Sequence, residues 1–192
     1  MEDENKIREK KILGILRKEI EDGEDLAAEA RKMVGYLLLE KKGYLEEEVR
    51  KDVVFEVKLE QETAYSVVDF LVSIEGRKAM VVKCASGSLD SRERQAVAAA
   101  RVIAALPVPV AVVADPATAE VIDVLTGKVV GEGFGAIPVR DQLIKTLSSA
   151  DLKPLPPEKL EREKRILLAF DAIRCSVPQG ADGGVKLDEE RG

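Results

Sequence analysis

The stretch that decides the fold is Ala64 to Arg101, AYSVVDFLVSIEGRKAMVVKCASGSLDSRERQAVAAAR. Its first part reads as a strand, with Val67, Val68, Phe70, Leu71 and Val72 around Asp69, and Glu75-Gly76 supplies a tight turn. A second strand follows, in which Met80, Val81 and Val82 precede Lys83. After Ser86, Gly87 and Ser88 the period changes. Asp90 and Glu93 stand in capping-box relation, and an alanine-rich helix is expected to about Leu106. A carboxylate and an ammonium each set among branched apolar residues would cost several kcal/mol if buried unpaired. The plain reading is an ion pair between neighbouring strands, and the sharper one is a metal and phosphate site on the sheet.

Upstream, KDVVFEVKLEQ alternates: Val53, Phe55, Val57 and Leu59 share one face, opposite Val54, Glu56, Lys58 and Glu60, so a strand at 53–60 near an edge is expected. A helix is expected from about Glu24 to Lys42, closed by Gly43, and an amphipathic helix over residues 4–20. Downstream, Pro107 and Pro109 end the alanine-rich helix, and VAVVA at 110–114 reads as a central strand covered on both faces. Because it follows a strand and a crossover helix, it is expected to lie parallel to the Lys83 strand. Strands at about 119–125 and 128–131, a helix at 140–147, a proline-rich connector and a helix containing Leu160, Ile166, Leu167, Phe170 and Ile173 complete the chain. The GEGFG run at 131–135 matches neither a dinucleotide nor a P-loop fingerprint. The expected division is an extension over 1–23, an α/β domain over 24–150, a connector and helix over 151–174, and a mobile tail over 175–192.

The 192 residues suffice for one domain with a sizeable core. A net charge of −6 argues against a broad nucleic-acid-coating surface, and the absence of histidine excludes imidazole catalysis and histidine-bound zinc. Cys84 and Cys175 form neither a CxxC pair nor a disulfide framework, and Cys84 is expected to be a buried small apolar residue facing away from Lys83. The charged start, MEDENKIREKK, is unlike a signal peptide, and no apolar run suits a membrane span. A cytoplasmic protein without a membrane partner is expected.

Residues 53–125 resemble the core of the PD-(D/E)XK nuclease superfamily, and most closely the amino-terminal domain of type I restriction enzyme R subunits. The resemblance extends loosely over 24–148. It implies a restriction-endonuclease-like mixed sheet flanked by helices. VVDF puts Asp69 at the place of the first metal-binding acid, VVKC puts Lys83 at the place of the lysine, and RERQAVAAA puts Gln95 at the place of a recurring helix glutamine. Mg2+ or Mn2+ would be the cofactor, and DNA or a protein of a DNA-processing system the partner. The chain departs from the pattern where an acid should stand two residues before Lys83, since Val81 offers no oxygen ligand. A glutamate at 81 would be expected beside Asp69, and Glu29, Glu56 and Glu60 are the candidates for a displaced second acid. Two functions follow. One is a nuclease-fold module with a degenerate or lost metal site, serving nucleic-acid-related binding or assembly. The other is a Mg2+- or Mn2+-dependent DNA endonuclease with a displaced ligand. A structural α/β domain without nucleic-acid function is the third reading.

Overall fold

The computed structural model describes residues 25–59, 63–85 and 89–171. The helix expected over 4–20, Glu60 and the segment after Asp171 lie outside them. Helix α1 spans Asp25–Tyr36, and a π turn carries it on over Leu37–Lys41, so the expected helix to Lys42 is found in two conformations. Strands β1 (Val49–Lys58), β2 (Thr63–Ile74) and β3 (Arg77–Cys84) follow, then α2 (Asp90–Val102). Next come β4 (Val110–Ala114), β5 (Ala119–Asp123), β6 (Lys128–Glu132), α3 (Arg140–Ser149) and α4 (Pro157–Asp171).

The six strands form one mixed sheet in the order β1-β2-β3-β4-β5-β6, in which only β3 and β4 run parallel. The β2–β3 hairpin turns on Glu75 and Gly76, both at positive φ, as a type I′ turn requires. The parallel β3–β4 neighbours, joined through α2, are those the apolar VAVVA segment led one to expect, and all five residues of β4 are buried. Strand β1 begins at Val49, four residues before the expected start. Arg50 and Lys51 conceal it from a pattern search, although an edge strand readily carries such side chains.

Helices cover both faces. On one side α2 lays Ala96, Ala98, Ala99 and Ala100 against Leu71, Val81 and Val113, and α4 adds Leu167. The small side chains let helix and sheet approach closely, and α2 ends at Val102, before the expected Leu106. On the other side Val34 and Leu38, of α1 and its π turn, and Leu143 and Leu147 of α3 pack on Phe70, Val72, Met80 and Val82. At Gly35 α1 lies close against the sheet, since a Cβ there would stand 3.4 Å from the Phe70 ring.

Two ion-pair clusters, each centred on a buried glutamate, fasten these layers. Glu163 of α4 receives Arg101 Nη1 at 2.8 Å and lies 2.9 Å from Arg94 Nη2, while Arg101 also donates to the Val124 carbonyl. Glu48 and Arg140 make a two-pronged pair at 2.7 and 2.9 Å that joins the start of β1 to the start of α3. The guanidinium holds the Glu48 carboxyl below its ordinary value.

Candidate functional site

The site forms where the sheet loses its regularity. β1 and β2 pair Lys51 with Phe70 and Val53 with Val68, and between them Asp52 and Asp69 stand opposite each other without joining the ladder. Val68 packs on the α2 side and Phe70 on the α1 side. Residues two apart share a face in a regular strand, so β2 reverses its facing at Asp69. β1 does the same at Asp52: Val49 packs on the α1 side, Val53 on the α2 side, and Asp52 takes a φ of 50°. Aspartate tolerates this left-handed conformation better than most residues.

The second irregularity lies between β2 and β3. Their ladder ends at Phe70 and Val82, and one further step in that register places Lys83 opposite Asp69. Side chains then take over the linking of the strands. Asp69 Oδ2 accepts the Cys84 amide N–H at 2.7 Å, and Lys83 Nζ donates to the Val67 carbonyl at 3.0 Å. Arg31 reaches across from α1 and donates its Nε to Asp69 Oδ1. Asp69 is only 4% exposed and Lys83 8%, so both charges sit in surroundings where a partner matters. Both Asp69 oxygens therefore serve the fold, one engaging a cation and the other an amide.

Cys84 is half-buried and packs with the α1-side core, while Val81, two residues before Lys83, belongs to the α2-side core. Burial pushes the Cys84 thiol well above its ordinary pKa, and the neighbouring Asp69 carboxylate adds to the effect. This cysteine is an apolar filler with little tendency to become a thiolate. Asp69 and Asp52 open into a groove of about 370 Å³ between α1 and β1, whose walls also carry Arg31, Lys32, Tyr36 and Lys51.

The profile of the type I restriction enzyme R protein N terminus (HSDR_N) matches residues 28–138, more than half of the chain. The chain belongs to that family. Comparison with curated proteins and with solved structures returned no match. The six-stranded mixed sheet between helical layers has the restriction-endonuclease-like, PD-(D/E)XK arrangement that the family implies. The HSDR_N match takes in Arg31, Asp52, Asp69, Lys83 and Gln95, and it ends before α3 and α4.

Within this HSDR_N domain, Asp69 and Lys83 stand next to each other in register, and the other residues singled out from the sequence have surroundings of their own. Gln95 is completely buried on α2, where its Oε1 accepts Arg92 Nη1 at 3.1 Å and its Nε2 has no hydrogen-bond partner among the described residues. Glu29 is exposed on α1, two residues from Arg31. Glu56 pairs in register with Tyr65, four residues along β2 from Asp69 and so about 13 Å away. It forms an exposed ion pair with Lys58 at 2.9 Å.

A nuclease metal centre needs several oxygen ligands converging on one ion. Among the described residues no group of three or more Cys, Asp or Glu is placed to hold one, and the sequence has no histidine. Val81 is fully buried, and Arg31 already neutralises Asp69. The donor set does not fit the family's divalent-ion site. Sequence reasoning missed two residues of the groove. Asp52 directly precedes the alternating run at 53–60 and has no spacing that singles it out, and Arg31 lies 38 positions from Asp69 with no local signal connecting them.

Proposed function

We propose that this HSDR_N-family chain is a nuclease-fold module whose metal chemistry is reduced or lost, and that it serves binding or assembly in a nucleic-acid-processing system. The observation that supports this reading is the state of Asp69: a guanidinium engages one oxygen, a backbone N–H the other, and buried Val81 occupies the motif position of the second acid. A carboxylate already compensated by arginine gains little from a hydrated divalent ion. Lys83 and Gln95 are then remnants whose present partners are a backbone carbonyl and an arginine.

The test pairs two assays on one preparation. Fluorescence anisotropy with labelled single- and double-stranded DNA in EDTA is expected to show salt-sensitive binding. Cleavage of the same DNAs with Mg2+ or Mn2+ is expected to show no turnover that depends on Asp69. Loss of all DNA binding would leave assembly with a protein as the surviving form of the reading, whereas metal-dependent turnover abolished by D69A would overturn it.

A second reading draws on Asp52. It faces Asp69 across the interrupted ladder and lines the same groove, so it is better placed than Glu29 or Glu56 to act as a displaced second acid in a Mg2+- or Mn2+-dependent endonuclease. That enzyme would need Arg31 to leave Asp69. Cleavage that D52N abolishes and that R31A increases would establish it over the first reading.

A further inference from the structure

The sheet has two outer strands, and they differ in how they are protected. β1 carries Arg50, Lys51, Asp52 and Lys58, and its run is broken by the left-handed Asp52. Charges and kinks of this kind discourage the addition of another strand. β6, Lys-Val-Val-Gly-Glu over 128–132, has no proline and carries its charges only at its two ends, with opposite signs. Val129 is 37% exposed and Val130 65% exposed. A register shift at Val121/Ile122 leaves Val130 as the extra residue of a bulge; the bulge, the strand's brevity and Lys128 blunt this edge too, but leave both valines uncovered. Among the described residues no strand pairs with the outer side of β6.

The charge pattern identifies what fits there. Glu132 stands in register opposite Glu120, a like-charge arrangement that is unfavourable across neighbouring strands. Neither the Lys128 nor the Glu132 side chain takes part in an ion pair among the described residues. We propose that β6 pairs antiparallel with β6 of a second copy of this chain, about a two-fold axis at Val130. That register sets Val130 against its own counterpart, Val129 against Gly131, and Lys128 against Glu132 at both ends. Each Glu132 then has a lysine on the side away from Glu120, and two exposed valines per copy are covered. Two-fold pairing of this kind is self-complementary, as a closed dimer requires. A five-residue strand buries less area than a standard stable interface, so the dimer is weak and reversible. This inference is independent of the metal and nucleic-acid readings above.

Sedimentation velocity over a concentration series tests it, with circular dichroism as the check on folding. Wild type is expected to move from monomer to dimer as concentration rises. K128E and E132K each set like charges against like at both ends of the pairing, and each alone is expected to remain monomeric. Mixing the two restores opposite charges at both ends, so the mixture is expected to dimerise where neither component does. A wild type that stays monomeric up to about 1 mM, weaker than the millimolar end of measurable affinity, would overturn the proposal. Dimerisation unchanged in both single variants would overturn it equally, because association would then run through another surface.

Discussion

Arg31→Ala tests how Asp69 is held. Asp69 is 4% exposed, and the Arg31 side chain keeps 23% of its surface in water, so the pair is partly rather than fully buried. Removing one partner of a fully buried pair costs about 3–5 kcal/mol, chiefly through the charge left behind. The amide of Cys84 still donates to Asp69 in the variant, and water gains access from the groove, which brings the expected loss to about 2–3 kcal/mol. Asp69→Asn keeps an acceptor for that amide and leaves Arg31 free to reach solvent, so about 1–2 kcal/mol is expected. In the double variant neither charge is stranded, and the cycle is expected to give a coupling of about 1–2 kcal/mol. Urea unfolding followed by circular dichroism reads all four proteins, and with slopes of about 1–3 kcal/mol per molar the R31A midpoint is expected to fall by about 0.7–3 M. Additive losses, or an R31A variant within about 0.5 kcal/mol of wild type, would refute the assignment of Arg31 as the counter-ion of Asp69.

Three further outcomes follow from the same packing. E163Q leaves Arg101 buried with the Val124 carbonyl but no carboxylate, and a loss of about 3 kcal/mol in urea unfolding is expected. The Glu48 carboxyl is held below its ordinary value of 4.5 by Arg140, so its contribution is present above about pH 4.5 and fades as pH falls through the folded-state value; stability measured from pH 6 to pH 3 is expected to drop less steeply in R140A than in wild type. V81E places a carboxylate in the α2-side apolar cluster, on the face opposite the Asp69–Arg31 pair, so a loss of several kcal/mol is expected and millimolar Mg2+ is expected to recover none of it in thermal unfolding.

The fold was legible because each long-range pairing had a local sign. Alternation marked β1, Glu-Gly marked the hairpin, the change of period at Asp90 marked α2, and the uninterrupted apolar run marked β4 as a covered parallel strand. What the pattern could not carry was the reversal of facing at Asp52 and Asp69. A period-two count assumes an unbroken pleat, and the family's acid-x-lysine pattern, which sets position 81 beside Asp69, meets two side chains on opposite faces of the sheet. The near approach of Lys83 to Asp69 in register could be anticipated from two adjacent strands. The carboxylate's engagement by Arg31 depends on how α1 docks, which rests on Gly35 against Phe70 and on the apolar face of Val34 and Leu38. No spacing rule within α1 or β2 encodes that contact.

The most direct test of the central claim is isothermal titration of Mn2+ into wild type and D69A, with DNA cleavage followed on the same samples. The account predicts that Arg31 leaves Asp69 no capacity for a divalent ion, so the two titrations superimpose and neither protein cleaves DNA. Stoichiometric Mn2+ binding by wild type that D69A abolishes, accompanied by cleavage that D69A also abolishes, would contradict it.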